Sequence, residues 1–200
     1  MLEPNFHFEL VSGHALVCGI DEAGRGPWAG PVSAAAVILD PQNIPSGLND
    51  SKKLNEATRE ALYPQILASS DVGIGLVSAQ EIDEINILQA TYLAMQRAIA
   101  NLKTKPTLAL IDGNRAPKLF CLSQTIIGGD AKSLSIAAAS IIAKVTRDRM
   151  MREHDKTFPV YGFAKHKGYG TTAHMAALTK YGPCTEHRRS FKPIAKLTIT

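Results

Sequence analysis

Apolar and polar positions along this chain alternate between short runs and long stripes. One apolar run begins at Val17 and ends at Asp21, the first of two adjacent acids; a glycine-rich turn spans Glu22 to Pro31, and a returning run, Val32 to Leu39, stops at Asp40-Pro41. Short apolar runs closed by Gly, Pro or Asp predict strands. The same signal predicts a third strand in "DVGIGLVS", a fourth in "TLALID" ending at Asp112, and a fifth in "CLSQTII", broken at Gly128-Gly129. Stripes of helical period lie between them. Ser51 to Leu67 places Leu54, Ala61, Leu62 and Ile66 on one face, although Pro64 interrupts it. The stretch from Ser78 to Leu102 opens with Ser78 and Glu81 in capping-box spacing and keeps Ile82, Ile85, Leu88, Tyr92, Met95 and Ile99 in register. A long helix is predicted over "AKSLSIAAASIIAKVTRDRMMREH", rich in small residues that let it lie close to a sheet, and a short one over "TTAHMAALTKY".

This order predicts an α/β fold. The second strand returns antiparallel to the first, the fourth arrives through a crossover helix and runs parallel to it, and the result is a mixed five-stranded sheet with helices on its faces. Residues 156–200 read as a helical and loop extension of a single domain spanning 1–200.

Composition narrows the class. Two hundred residues, 45% hydrophobic, suffice for one full core. The net charge of +4 suits a nucleic-acid partner without requiring one. Cys18, Cys121 and Cys184 have neither zinc spacing nor an even count, which points to a reducing compartment. The start "MLEPNFHFEL" lacks the features of a secretory signal, and no run reaches the length of a membrane span. A cytoplasmic, soluble protein is the expectation.

The chemistry is carried by acids at strand ends. Strands running parallel bring their carboxyl ends to one edge of the sheet, so Asp21, Asp112 and Asp130 should converge there; Asp40, ending an antiparallel strand, should not. Clustered carboxylates repel unless cations neutralise them. Oxygen donors with no paired His or Cys favour Mg²⁺ or Mn²⁺ over zinc. Two such ions about 3.5–4 Å apart clamp a phosphate for in-line displacement, one orienting water and the other stabilising the leaving oxygen. Read singly, the acids are less telling. Asp112 is an ordinary turn residue, Asp130 suits a helix N-terminus, and Glu22 faces solvent unless the strand bends. Asp148, within the long helix, reads as an ion-pair partner of Lys144.

Beside the acids, Gly24-Arg25-Gly26 allows close backbone approach to a ligand, and Arg25 offers a planar fork to a phosphate. Backbone groups at that distance can test for a sugar 2′-hydroxyl. Farther on, "FAKHKGYGTTAH" interleaves Lys165, His166 and Lys167 with Tyr169; the alternatives are a backbone-tracking, sugar-stacking loop or a solvated one with Tyr169 half-buried. Lys52 and Lys53, like Arg188 and Arg189, either touch a nucleic acid or face water. His166 is a proton shuttle or a surface histidine, and Trp28 stacks on substrate or, as the better expectation, packs against a neighbouring strand.

In order and separation, "GIDEAGRGPWAGPV", "LNDSKKLN", "IDGN", "GGDAKSLSIAAASIIAKVTRD" and "HKGYGT" resemble bacterial ribonuclease HII from about Val17 to Lys192. The resemblance implies a ribonuclease H-like fold and an endonuclease that cuts the RNA strand of RNA–DNA hybrids and incises 5′ to single ribonucleotides in duplex DNA. It implies Asp21, Glu22, Asp112 and Asp130 as catalytic, metal-binding acids. Gly24, Arg25 and Gly26 become the ribonucleotide-sensing turn, and Tyr169 packs on the next sugar at an RNA–DNA junction. Lys52, Lys53 and Lys167 are further candidate substrate contacts. The tail "KPIAKLTIT" lacks the glutamine and aromatics of a clamp-binding segment, and a monomer is expected. Two rivals stand beside this reading. A DNA nuclease or junction resolvase of the same superfamily would cut all-DNA substrates. A non-catalytic nucleic-acid-binding module would have no use for an intact acid cluster.

Overall fold

The computed structural model describes residues 3–197; the last part of the tail read above, 198–200, and the first two residues of the leader lie outside them. Five strands, β1 (Val17–Ala23), β2 (Val32–Leu39), β3 (Ser70–Val77), β4 (Leu108–Asp112) and β5 (Leu122–Ile126), form one sheet in the order β3-β2-β1-β4-β5. β1 pairs antiparallel with β2 and parallel with β4, and β5 joins β4 in parallel. The mixed sheet expected from the element order is present.

Helices α1 (His7–Val11), α2 (Glu56–Ser69), α3 (Ala79–Ala100), α4 (Leu134–Thr157), α5 (Phe163–His166), α6 (Thr172–Tyr181) and α7 (Lys192–Ala195) surround it. α3 starts at the expected capping box: the Ser78 N–H donates to Glu81 Oε2 at 2.8 Å and the Glu81 N–H to Ser78 Oγ at 3.2 Å. It kinks at Asn86, whose backbone is non-helical (φ 67°, ψ 163°) and whose side chain accepts from the N–H groups of Leu88 and Gln89. Asn86 thus ends one helical segment and caps the next. α2 begins five residues later than its stripe predicts, because Asn55 takes the cap and 51–54 form a turn. α4 likewise starts late, after a single 3₁₀ turn at Gly129–Ala131 and a Ser133 cap.

α1 has no sequence signature, and its role is tertiary. Its Glu9, buried, accepts from the Ser133 and Ser135 hydroxyls, each at 2.6 Å, and from the Ser135 N–H at 3.0 Å. A carboxylate at a helix N-terminus meets unpaired amides and the positive end of the helix dipole.

Strand alternation divides the core between the two faces of the sheet. Cys18, Ile20, Ala34, Ala36 and Ile111 pack on α3 through Ala90, Ala94 and Ala98. Ala35 and Val37 pack on α4 and α2 through Ile141, Ile142, Leu62 and Ile66, while Val17, Leu108, Leu110 and Ile136 extend that layer. On the α4 side the approach is tight at Gly19, where a Cβ would fall 2.1 Å from the carbonyl carbon of Ser135. Only the absence of a side chain there lets α4 lie directly on β1.

Candidate active site

The acids are positioned by sheet register. Ile20 of β1 sits opposite Ile111 of β4, so one step on, Asp21 and Asp112 stand side by side on the face covered by α4. Asp112 in turn sits opposite Ile126, after which the chain folds back through Gly128 and the 3₁₀ turn to bring Asp130 over the same edge. Carboxylate oxygens of Asp21, Asp112 and Asp130 lie within 4.8 Å of one another. Backbone amides fix two of them: the Glu22 N–H donates to Asp21 Oδ1 and the Gly129 N–H to Asp112 Oδ1, both at 2.7 Å. Asp40 is exposed at the far end of β2.

Glu22 is different. β1 stays regular through Ala23, so Glu22 points to the opposite face from Asp21. It lines the same pocket from its rim, and its Oε1 lies 3.3 Å from the Arg25 guanidinium. The glycines bend the chain only after Glu22 has passed.

Burial and mutual repulsion make the cluster costly. Burial first, then Glu22 and Asp112, hold Asp21 well above the usual carboxylate range. Burial also raises Glu22, with Arg25 opposing, and raises Asp130, where Asp112 adds to the effect and Lys52 opposes it. The Lys52 ammonium, 3.3 Å from Asp130 Oδ2, supplies part of the positive charge this group of acids demands. Three converging carboxylates without a His or Cys among them fit a hard divalent cation.

That fit has a pH signature. With its pKa raised on folding, Asp21 contributes stability below its unfolded value, near 4, and loses it as pH rises through the folded value. At pH 8 the metal-free cluster is therefore strained, and Mg²⁺ is expected to raise the thermal midpoint there. At pH 5, where protons compete for the same oxygens, the increment should shrink. Unfolding scans with and without Mg²⁺ at both pH values check this; an increment independent of pH would contradict it.

Tyr169, half exposed, faces the pocket: a Cβ added at Gly26 would be 3.8 Å from its Cε1. Lys52 lines the pocket as well. Lys53 is exposed outside it, and the Lys167 ammonium donates to the Ala164 carbonyl of its own loop. The ion pair expected within the long helix is present, Lys144 Nζ lying 2.7 Å from Asp148 Oδ1, and Lys144 also lines the pocket.

Three sequence readings need correction. His166 is neither shuttle nor surface group: its Nε2 bonds the Tyr161 carbonyl at 2.7 Å, its Nδ1 accepts from the Gly168 N–H, and its ring stacks on His174. Trp28 packs on Gly170 and His174 of the C-terminal segment, not on a strand. Arg188 neither faces water nor reaches the pocket. It is fully buried, and its guanidinium donates to the carbonyls of Gly24, Arg25, Pro27 and Gly30 at 2.6–3.0 Å. Arg147, equally hidden, donates to those of Ala29 and Pro31. Gly24, with φ 96°, leaves the room that Arg147 occupies: a Cβ there would lie 2.1 Å from Arg147 Nε. An arginine in sequence resembles any solvated one, and only the fold reveals its partners.

A histidine chain supports the loop bearing Tyr169. Taking the Tyr169 carbonyl as acceptor fixes Nδ1–H on His174; its Nε2 then accepts from His187 Nε2–H at 2.9 Å, and His187 Nδ1 accepts from the Cys184 N–H. Both rings must be neutral for this pattern, and burial lowers each to about 4.

The model of the family described as Ribonuclease HII matches residues 18–194. The chain is 58% identical over 199 residues to the ribonuclease HII of Parvibaculum lavamentivorans, covering 98% of this chain and 74% of that protein. Among solved structures it is similar to the ribonuclease H2 of Pyrococcus horikoshii (29% identity, TM-score 0.76, covering 91% of this chain and 96% of that one). It is also similar to the structure of the PCNA:RNase HII complex from Archaeoglobus fulgidus (27% identity, TM-score 0.75, covering 88% and 95%).

Proposed function

Since the chain belongs to the ribonuclease HII family and is thus a ribonuclease H, a metal-dependent hydrolase, we propose that it cuts the RNA strand of RNA–DNA hybrids and incises 5′ to single ribonucleotides in duplex DNA. The observation that carries this reading is the convergence of Asp21, Asp112 and Asp130 within 4.8 Å, beside a turn whose glycines and arginine line the same pocket. Asp21, Asp112, Asp130 and Glu22 would hold Mg²⁺ or Mn²⁺. Two such ions, when bound there, would supply an activated water and charge stabilisation of the leaving oxygen. Water attacks phosphorus in line, the bond to the upstream 3′-oxygen breaks, and the products carry a 3′-hydroxyl and a 5′-phosphate.

The remaining residues orient the substrate. Arg25 offers its guanidinium to a phosphate, the Gly24–Gly26 backbone approaches the sugar and tests for its 2′-hydroxyl, and Tyr169 packs on the neighbouring sugar. Lys52 sits where a backbone phosphate would meet it, while Lys53 and Lys167 contribute charge at longer range. The chain acts as one catalytic unit, with 156–200 supplying Tyr169, and works as a cytoplasmic monomer. Among the described residues no helix is long and apolar enough to cross a membrane. The clamp partner named for the Archaeoglobus fulgidus structure belongs to that protein.

A duplex carrying one ribonucleotide tests the proposal. Incision on its 5′ side with Mg²⁺ or Mn²⁺, and none on the all-DNA control, is expected. Cutting of all-DNA duplex would favour a superfamily DNA nuclease instead, and no cutting by folded protein would end the reading. Tyr169→Ala should weaken single-ribonucleotide incision by about tenfold, the order of 1–2 kcal/mol for one stacking contact. Long hybrids, which do not depend on one junction, should be cut nearly as before. Equal losses would remove the junction-sensing role.

A further inference from the structure

We infer that Arg188 is a positioning residue for the Gly24–Gly26 turn, an inference that deepens the reading above and rests on it. Its guanidinium has five N–H groups, and the structure gives it five bonds: Nε to Gly30 O, Nη1 to Arg25 O and Pro27 O, and Nη2 to Gly24 O and Gly30 O. Among the described residues no carboxylate forms an ion pair with it, Asp83 acting on it only at longer range. A buried charge whose partners are all backbone carbonyls of one turn holds the shape of that turn.

The consequence follows from peptide geometry. In a planar trans peptide the carbonyl of one residue and the N–H of the next point in opposite directions. Because Gly24 O and Arg25 O both face Arg188, the N–H groups of Arg25 and Gly26 face away from it, in a turn whose three residues line the pocket while Arg188 does not. Neither N–H donates to any group among the described residues. Two free amides beside the acids are thus held ready for substrate oxygen without reorganisation when it arrives.

Arg188 is itself fixed from behind. Its N–H donates to Trp28 O, and its guanidinium lies 5.1 Å from the Phe191 ring centroid. The next residues are gripped by Asp83 of α3, which accepts from the Arg189 and Ser190 N–H groups at 2.8 Å and from the Ser190 hydroxyl at 2.6 Å. A path of direct bonds therefore runs from α3 through 188–190 to the turn.

Arg188→Lys keeps the charge but offers three donors from one nitrogen, which cannot hold four separated carbonyls. On a single-ribonucleotide duplex it is expected to lower kcat by about 100-fold, the cost of misplacing a positioned group by about 1 Å. KM should change less than about threefold, because most duplex affinity comes from phosphate contacts elsewhere. Trp28, the only tryptophan, lies in this turn, so its emission should shift as the turn loosens. Assays run well below each variant's thermal midpoint separate positioning from global stability. Asp83→Ala, which loosens the same path while leaving the Arg188 guanidinium and its five bonds in place, should lower kcat by about tenfold and serves if Arg188→Lys does not fold. A folded Arg188→Lys, or in its place Asp83→Ala, with unchanged kcat would overturn the inference. Wild-type protein that incises nothing would instead sink the functional reading.

Discussion

Asp21→Asn is expected to lower the cleavage rate about a thousandfold or more while leaving hybrid binding within about twofold, the loss of several kcal/mol of charge stabilisation confined to the reacting phosphate. Asp21 stands at the centre of the cluster: Asp112 is beside it in register, Asp130 folds over it, and its own Oδ1 is held by the Glu22 amide. Asn keeps the shape and removes the charge. The same change should raise the stability of the metal-free protein by about 1 kcal/mol at pH 8, because a buried carboxylate repelled by Glu22 and Asp112 is replaced by a neutral group. It should also abolish most of the Mg²⁺-dependent increment in the thermal midpoint. Cleavage kinetics, fluorescence anisotropy with a labelled hybrid and unfolding scans measure the three effects. Activity within tenfold of wild type would contradict the assignment of the site. Lost cleavage with retained binding would exclude a protein that only binds.

Gly19→Ala should be nearly as damaging, from a position that bears no functional group. The added Cβ would meet Ser135 C at 2.1 Å and Ile136 N at 2.3 Å, both backbone atoms of α4. No side chain can rotate out of the way, so α4 must move off β1. Overpacking a core typically costs about 1–3 kcal/mol, and with backbone on both sides the upper end or beyond is expected. Asp130 lies in the turn that leads into α4, so the shift also draws it from Asp21; an activity loss of about 100-fold follows from a displacement near 1 Å. Thermal unfolding and cleavage measured on one preparation test both halves. An unchanged midpoint with unchanged activity would mean that the closeness of α4 and β1 does not set the site.

Much of this was legible beforehand. The runs at Val32–Leu39 and around "TLALID" became β2 and β4, and the capping box at Ser78 and Glu81 opens α3. Such signals are local: a strand or a cap depends on residues only a few positions apart. Glu22 shows the limit of this reasoning. Its adjacency to Asp21 is plain, yet whether the strand bends between them depends on pairing with β2, which continues to Ala23. The late start of α2 and the kink at Asn86 are competitions between nearby caps, decided by small differences that pattern does not resolve.

The sequence by itself determined the sheet, the acids at its strand ends and the Gly-Arg-Gly turn beside them, because alternation, helical period and glycine placement are written in neighbouring residues. Tertiary structure alone decided that Arg188 and Arg147 would be buried under that turn, that three histidines would pack behind Tyr169, and that Glu9 would cap α4. The physical reason is that a charged or titratable side chain takes its meaning from its partners, and these are brought together by the fold, from eight positions apart for His166 and His174 to more than a hundred for Glu9 and Ser133, or are backbone carbonyls that leave no mark in the sequence.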